Sequence, residues 1–369
     1  EGVLLVTLHH AVGDGTSMGI LVEELTTLLA GGSLPAAPPQ TPSDIARWQR
    51  ARLEEPRAAE RLGSWLNRLR DAAPLDLAGP DTIEASPGTH GHASTFTLSQ
   101  EVTEVLRDLA TRLRCSPFAI AMATLQTTLR WATGRSEISI ATPIDLRDRW
   151  NLAGVVGCLV NTVLIHGHID TATTFSDVIR SAAETINAAQ NDAETPFESI
   201  VAALSADRGH VTTPLCNVAL ARQSLPSGTN GPRWAEMEPT AAQFPLSCHW
   251  MESDSITEVT LISDPATVDA RRCADLAALW ERVIHAALSA PDTPINHLDL
   301  TADTDLGGTG PVTEPTTDVQ TRPQLHELFL RSPEELLVVG ENRELTVTEF
   351  YAVVLAWAQT LHRIDAPLD

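Results

Sequence analysis

Lysine is absent from this chain: all 25 basic residues are arginine, against 48 acidic residues, and the formal net charge at pH 7 is -23. Proteins that bind nucleic acid need a basic stripe to neutralise phosphates, so a chain this acidic argues against a nucleic-acid partner. The exclusive use of arginine, with much alanine, leucine, threonine and proline, is typical of a bacterial gene of high GC content. The composition therefore predicts a bacterial protein with no nucleic-acid partner.

Long apolar runs and closely spaced cysteine pairs are missing as well. No apolar run approaches the roughly 20 residues that a membrane-spanning helix needs, and no secretory leader is recognisable. Without a Cys-x-x-Cys pair, the cysteines are expected to be buried thiols in a reducing compartment, with no metal site. They are Cys115, Cys158, Cys216, Cys248 and Cys273. These absences predict a cytoplasmic protein that contacts no membrane.

The most informative segment is His9-His10-Ala11-Val12-Gly13-Asp14-Gly15. The apolar run at residues 3–8 predicts a short buried strand, and the apolar residues between Met18 and Leu29 recur at the spacing of an amphipathic helix. The segment therefore lies at a helix N-terminus, where the dipole favours an ionised Asp14 and a neutral, basic histidine. Because successive side chains of an extended segment point opposite ways, we expect one histidine to face a site and the other to brace the loop.

This segment resembles the His-His-x-x-x-Asp-Gly signature of the condensation domains of nonribosomal peptide synthetases. A strand-to-helix turn with structural His and Asp residues is the alternative, but the double histidine and the Gly-Thr-Ser-Met that follows make the match specific. Ser43 replaces a tyrosine of the family pattern, and Pro245 stands where an acidic residue is usual. Further segments resemble family motifs in the same order along the chain: residues 43–48, 156–162, 191–198, 208–215 and 243–247.

The resemblance implies an α/β fold, the chloramphenicol-acetyltransferase-like fold of two lobes with mixed sheets and flanking helices. It divides the chain into the end of an incomplete N-terminal lobe with a crossover (1–85), a C-terminal lobe (86–300), a linker (301–322) and the beginning of an adenylation domain (323–369). The last assignment rests on Leu325-His326-Glu327-Leu328-Phe329 and on residues 345–350. We expect most of the N-terminal lobe to be missing and the chain by itself to be inactive.

The chemistry that the resemblance implies is amide formation between two carrier-bound thioesters. The amine of an acceptor aminoacyl group attacks the thioester carbonyl of the donor. Donor and acceptor are each bound as a thioester to the 4′-phosphopantetheine arm of a peptidyl carrier protein. No cofactor or metal is expected to bind directly. His10 is the expected catalytic residue, either as general base or as the hydrogen-bond partner that aims the amine, and His9 braces the loop. Asp14 shapes the loop, paired with an arginine of the missing lobe, while Gly15 lets a backbone approach near the helix start.

Five other residues are candidates for the substrate tunnel. Asn161 and Thr162 lie on a segment that resembles the tunnel wall, with ordinary backbone hydrogen bonding as the alternative to a substrate contact. Asp145 and Arg147 resemble a segment beside the lobe interface, where a structural ion pair is the favoured interpretation. Ser247 lies in the 243–247 segment.

Seven arginines between Arg47 and Arg70 form a local basic cluster on an acidic chain. They would suit the acidic surface of a carrier protein, but Glu54, Glu55 and Glu60 lie among them. The favoured interpretation is a solvated helix whose arginines pair with their own neighbours.

Three other functions share the expected fold: an epimerisation domain, a CoA-dependent acyltransferase and a non-catalytic domain that recruits partner enzymes. The Val160-Asn161-Thr162 segment and the adenylation-like tail disfavour the first. The plant-type members of the second carry an Asp-Phe-Gly-Trp-Gly segment that is absent here. An intact His10 and Gly15 disfavour the third.

The remaining patterns predict a coarse order of elements. Helices are expected in the region 44–71 and at 101–114, 117–132, 175–190, 197–205 and 267–289. Strands are expected at 94–98, 137–142 and 156–165, with a β-hairpin at about 246–263.

Overall fold

A computed structural model of the chain describes residues 6–78, 91–207, 215–224, 242–253, 256–300, 336–340 and 343–346. The chain divides into two compact units, of which one spans residues 9–315 and the other takes in residues 1–8 and 316–369. The first unit carries a six-stranded sheet, its helices and the whole of the segment from His9 to Gly15.

Three helices precede the sheet: α1 (Gly15–Leu29), α2 (Pro42–Leu53) and α3 (Pro56–Arg68). The Asp14 side chain caps α1 by accepting from the backbone N–H of Ser17. Thr41 and Asp44 form a reciprocal capping box at the start of α2, where Pro42 occupies the first turn without losing a hydrogen bond. The α3 helix buries Trp65 in the main core.

The sheet has the spatial order β1-β6-β5-β4-β2-β3. Its β1–β6, β6–β5 and β2–β3 pairs are antiparallel, whereas β5–β4 and β4–β2 are parallel, so the sheet is mixed. The strands are β1 (His92–Leu98), β2 (Glu137–Asp145), β3 (Val160–His168), β4 (Val218–Ser224), β5 (Leu246–Glu252) and β6 (Thr257–Ser263).

The flanking helices of this unit are α4 (Gln100–Leu113), α5 (Pro117–Thr133), the short α6 (Arg147–Trp150), α7 (Phe175–Asn191), α8 (Phe197–Asp207) and α9 (Ala270–Ser289). The central helix is α5, which is buried on all sides from Ala119 to Leu129. It begins at the Ser116 cap and ends at Gly134, whose φ of 71° is a left-handed conformation that favours glycine. The α7 and α9 helices pack against it. The main core therefore holds β2 and β3 in place.

The predicted helices and the 246–263 hairpin are confirmed, apart from small shifts of their ends. Two predicted strands differ. The described part of the 3–8 run, residues 6–8, is exposed and has no regular structure, and the strand expected at 156–165 begins only at Val160. Residues 156–159 instead form a loop whose backbone bonds to the side chains of Asp14 and Ser17.

The second unit contributes an antiparallel pair of strands, β7 (Leu336–Gly340) and β8 (Arg343–Thr346). The predicted linker at 301–322, the Leu325–Phe329 motif and most of the predicted adenylation segment lie outside the described residues. The domain boundaries at 85, 300 and 322 stay predictions.

Candidate active site

Asp14 lies at the centre of the candidate site and is 4% exposed. Its Oδ1 accepts hydrogen bonds from the backbone N–H and the hydroxyl of Ser17, both at 2.9 Å. Its Oδ2 accepts from Nη1 of Arg147 and from the backbone N–H of Leu159, both at 2.8 Å. Burial by itself raises the pKa of Asp14, but the bonds from Arg147, Leu159 and Ser17 outweigh it and hold that pKa below its ordinary value. Asp14 is therefore an ionised anchor.

Arg147 is buried, with 3% of the residue exposed, and its guanidinium donates to acceptors within the protein. Nη1 donates to Asp14 and also to both carboxylate oxygens of Asp145, at 3.1 Å each. Nη2 donates to the Ser17 hydroxyl at 3.0 Å and to the Gly157 carbonyl at 2.8 Å, and Nε donates to the Val155 carbonyl. Arginine alone offers this fork of donors. One side chain thus ties the motif loop, the end of β2 and the 155–159 loop together.

The expectation that an arginine of a separate N-terminal lobe pairs with Asp14 is wrong. The partner is Arg147, which the chain supplies 133 residues further along, directly after β2. The short α6 places it there, because the Asp145 carboxylate accepts the backbone N–H of Arg147 at 2.8 Å and fixes the turn. The predicted Asp145–Arg147 ion pair is present at 3.1 Å, as one part of a larger network.

Ser17 is the member of this network that sequence reasoning missed. Its side chain is fully buried, and its hydroxyl contacts the carboxylate of Asp14 and both the N–H and the carbonyl of Gly157. The signal was its position three residues after an N-capping aspartate, where the backbone N–H bonds to the cap. We name the four connected side chains the motif cluster: Asp14, Ser17, Asp145 and Arg147.

The two histidines are exposed and lie just before this cluster. The Nδ1 of His9 accepts the backbone N–H of Ala11 at 3.1 Å, and the His9 carbonyl accepts the N–H of Val12, so His9 closes a tight turn. His10 has its Nδ1 3.7 Å from the thiol sulfur of Cys158. Gly15 is the first residue of α1, and a Cβ there would meet no heavy atom within 4 Å. Among the described residues, no contact therefore requires a glycine at that position.

The three remaining tunnel candidates make contacts away from the motif cluster. The Asn161 amide donates to the backbone carbonyls of Ala193 and Thr195, at 2.8 and 2.6 Å, and accepts the N–H of Phe197. Since the Asn161 side chain bonds to the backbone of residues 193–197, ordinary backbone hydrogen bonding is favoured over a substrate contact for this residue. Thr162 lies opposite Pro143 in the β2–β3 register. Ser247 is buried on β5 and accepts the N–H of Phe244.

A second group of arginines surrounds one carboxylate. Glu194 contacts Arg52 at 2.8 Å, Arg149 at 3.2 Å and Arg61 at 3.6 Å, and we name these four residues the Glu194 cluster. Arg68 likewise contacts Asp192, at 2.8 Å. The favoured interpretation of solvated arginines paired within their own helix is wrong for Arg52, Arg61 and Arg68. They attach α2 and α3 to the loop that follows α7.

The cysteines are not uniformly buried as expected. Cys216, Cys248 and Cys273 are buried, and burial raises the pKa of the Cys216 thiol to about 12, but Cys115 is half-buried and Cys158 is exposed. Cys158 reaches the surface because residues 156–159 form a loop where a buried strand was expected.

Within the described ranges, no three His, Cys, Asp or Glu side chains are grouped to hold a metal ion. No helix of the described part is both long and apolar enough to cross a membrane.

A comparison with protein families identifies the family of this chain. The model of the condensation domain matches residues 1–306. The chain belongs to the condensation domain family. It is 29% identical to the phosphinothricin tripeptide synthetase PhsC of Streptomyces viridochromogenes, over 95% of this chain and 34% of that protein. It is 26% identical to a linear gramicidin synthase of Brevibacillus parabrevis, over 98% of this chain and 5% of that protein. The chain thus spans about a third or less of these two relatives.

The fold matches solved synthetases as well. A four-domain nonribosomal peptide synthetase, crystallised with AMP and glycine, superposes with a TM-score of 0.70 at 20% identity, over 80% of this chain and 24% of that one. The predicted condensation fold, with a mixed sheet and flanking helices, is therefore confirmed. Residues 1–306 form a condensation domain of the kind found in nonribosomal peptide synthetases, and the motif cluster contains Asp14 of the signature segment.

Proposed function

We propose that this condensation domain forms an amide bond between two thioesters, each carried on the 4′-phosphopantetheine arm of a peptidyl carrier protein. The acceptor amine attacks the donor carbonyl, the new C–N bond forms, the C–S bond breaks, and the donor thiol leaves. Because a thioester is already activated, the protein has to position the two arms, take up one proton and stabilise charge on the carbonyl oxygen. One relative is a tripeptide synthetase by name and the other a linear gramicidin synthase, which supports this proposal.

The proposal assigns the amine contact to His10. The observation that carries it is the contrast within one loop, in which Asp14 is buried with every carboxylate oxygen bonded while His10 is exposed four residues earlier. An ionised carboxylate that is fully bonded has no free position from which to exchange a proton with a substrate. The exposed imidazole of His10 has a ring nitrogen that can accept a proton or a hydrogen bond from the amine.

The partners follow from the same chemistry. Two carrier proteins must deliver the donor and acceptor arms, and an adenylation domain must activate the amino acid that becomes the acceptor. The match to PhsC takes in 95% of the chain and so extends past the condensation model, which supports an adenylation-domain origin for part of residues 323–369. Assembly from intracellular activated amino acids favours the predicted cytoplasmic location.

The test is single-turnover transfer between loaded carrier proteins, in the natural full-length protein, followed by mass spectrometry of the acceptor carrier. His10→Ala is expected to lower the rate about 100-fold or more, the usual scale for an acid–base group. His9→Ala is the matched control and is expected to stay within about threefold of the wild type. A His10→Ala rate within threefold of the wild type would remove His10 from the mechanism.

His10→Gln separates the two roles that remain open for this residue. Glutamine offers a hydrogen-bond acceptor but does not titrate between pH 5 and 8. A glutamine variant as slow as alanine assigns proton transfer to His10. A glutamine variant that recovers most of the rate, without the pH dependence of the wild type, assigns amine positioning.

A further inference from the structure

Cys158 is the exposed thiol that touches the signature loop. Its Sγ lies 3.7 Å from Nδ1 of His10, within the range of a hydrogen bond to sulfur. Both side chains are exposed, in contrast to the buried thiols of Cys216, Cys248 and Cys273. The condensation chemistry proposed above uses His10 but gives Cys158 no part.

The contact is held from both sides of Cys158 by the motif cluster. The carbonyl of the preceding residue, Gly157, accepts a hydrogen bond from Arg147, and its N–H donates to the Ser17 hydroxyl. The following residue, Leu159, donates its N–H to Asp14. Asp14 is also the residue that caps α1, four residues after His10, so the same buried network bonds to both neighbours of Cys158 and ends the loop that carries His10.

The close packing around Gly157 leaves Cys158 little freedom. A Cβ at Gly157 would lie 3.3 Å from Cγ of Pro42, at the start of α2. The backbone before Cys158 is therefore wedged between α2 and the motif cluster. A fixed backbone on both sides directs the Cys158 side chain, because only its χ1 rotation remains.

A neutral imidazole carries its proton on one ring nitrogen, and the hydrogen bond made by the other nitrogen sets which one. In water the form with the proton on Nε2 predominates, and its Nε2 has no lone pair to offer an amine. An acceptor placed at Nδ1 reverses this preference, since it binds the Nδ1–H and leaves Nε2 as the base. Sulfur is a weak acceptor of such a bond.

We propose that Cys158 is a positioning residue, whose sulfur accepts the Nδ1–H of His10 and so keeps Nε2 free for the acceptor amine. The proposal rests on the amine-binding role of His10. It adds that a residue of the 155–159 loop selects the reactive nitrogen. Chain segments more than 140 residues apart thereby build one catalytic unit.

The first measurement reads the ring directly and does not depend on activity. Histidine-selective ¹⁵N labelling of the chain, with His10→Ala to assign the signal, reports which nitrogen of His10 carries the proton near neutral pH. The wild type and the matched control Cys115→Ala are expected to hold the proton on Nδ1. Cys158→Ala is expected to move it towards Nε2. An unchanged His10 signal in Cys158→Ala would overturn the proposal, even with His10 essential for catalysis.

The second measurement is the carrier-to-carrier rate in the natural full-length protein. Loss of one weak hydrogen bond predicts a fall of about threefold to tenfold for Cys158→Ala, while Cys115→Ala stays at the wild-type rate. Cys158→Ser keeps an acceptor and is expected to recover both the rate and the Nδ1–H form. A serine variant as slow as alanine would contradict the proposal. An inactive wild type with the expected ring signals would instead count against the proposed function.

Discussion

The chain uses arginine and carboxylate in two clusters that differ in burial. In the motif cluster, the Arg147 and Asp14 side chains are 3% and 1% exposed. In the Glu194 cluster, the glutamate is 10% exposed, but Arg52 and Arg149 are 31% and 39% exposed. An exposed ion pair adds little stability, whereas breaking a buried pair strands a charge away from water. The motif cluster holds the 155–159 loop in place, and the Glu194 cluster attaches helices to the loop that follows α7.

The two clusters also differ in what their bonds connect. The motif cluster joins side chains to the backbone of the 155–159 loop, on both sides of Cys158. The Glu194 cluster joins α2, α3 and α6 to the loop that follows α7, and Asn161 also bonds to that loop. The number of charges in a region therefore does not reveal its role, whereas burial and the number of satisfied donors do.

The largest effect is expected for Arg147→Met, which keeps the volume but leaves Asp14 buried and unpaired. The free energy of unfolding should fall by about 3–5 kcal/mol, as for other broken buried pairs. Arg149→Met, two residues along, is the control at a partly exposed site. It removes the pair with Glu194 and two exposed bonds to the Gln190 and Asn191 carbonyls, and should cost less than about 2 kcal/mol. Denaturant unfolding of the chain measures both. Equal losses would remove the distinction between the clusters.

The pH dependence of stability tests next whether Asp14 is ionised in the folded state. The pKa of Asp14 in the folded state lies below its ordinary value of 3.8, so its ionised form stabilises the fold above that value. The contribution is lost as the pH falls through the lowered folded pKa. The stability difference between the wild type and Asp14→Asn should therefore be constant at neutral pH and shrink below 3.8. A difference that persists unchanged in strong acid would contradict an ionised Asp14.

Glu194→Gln should have a smaller effect, about 1–2 kcal/mol, because three partly exposed arginines remain able to reach water. Added salt should reduce this loss, since partly exposed pairs are screened. Arg47→Ala, at a pair in which Arg47 is 75% exposed, should cost less than about 0.5 kcal/mol and serves as the surface control. Unfolding at low and high salt measures the difference. A loss that salt leaves unchanged would place Glu194 with the buried pairs.

His9→Ala should lower the free energy of unfolding by at most about 1 kcal/mol. A brace with a buried hydrogen bond would have cost about 1–3 kcal/mol, but the bond from Ala11 to His9 is exposed. A thermal melt compares the variant with the wild type. A loss larger than that of Glu194→Gln would show that the turn is more than a local contact.

Local patterns in the sequence were sufficient for the helices and for the turn that carries the motif. Apolar spacing and capping residues act over a few positions, so α4, α5, α7 and the 246–263 hairpin could be predicted from them. The Asp145–Arg147 pair was also predictable, because its members are two residues apart. The strand β4 was missed since its residues show no clear alternation.

What the sequence could not provide are contacts between distant segments. Arg147 is 133 residues from Asp14, and nothing in either local pattern pairs them. Cys158 lies in a Gly-Cys-Leu-Val run that is typical of a buried strand. The bonds from the motif cluster to Gly157 and Leu159 hold this run as a loop instead, which exposes the thiol.

A pair of double-mutant cycles tests most directly that the buried cluster holds the signature loop. One cycle combines Asp14→Asn with Arg147→Met, and the other combines Glu194→Gln with Arg52→Met, with unfolding free energies measured under the same conditions. We predict a coupling of at least about 2 kcal/mol in the first and less than about 1 kcal/mol in the second. An Asp14–Arg147 coupling no larger than that of Glu194 and Arg52 would show that the motif cluster does not hold the loop.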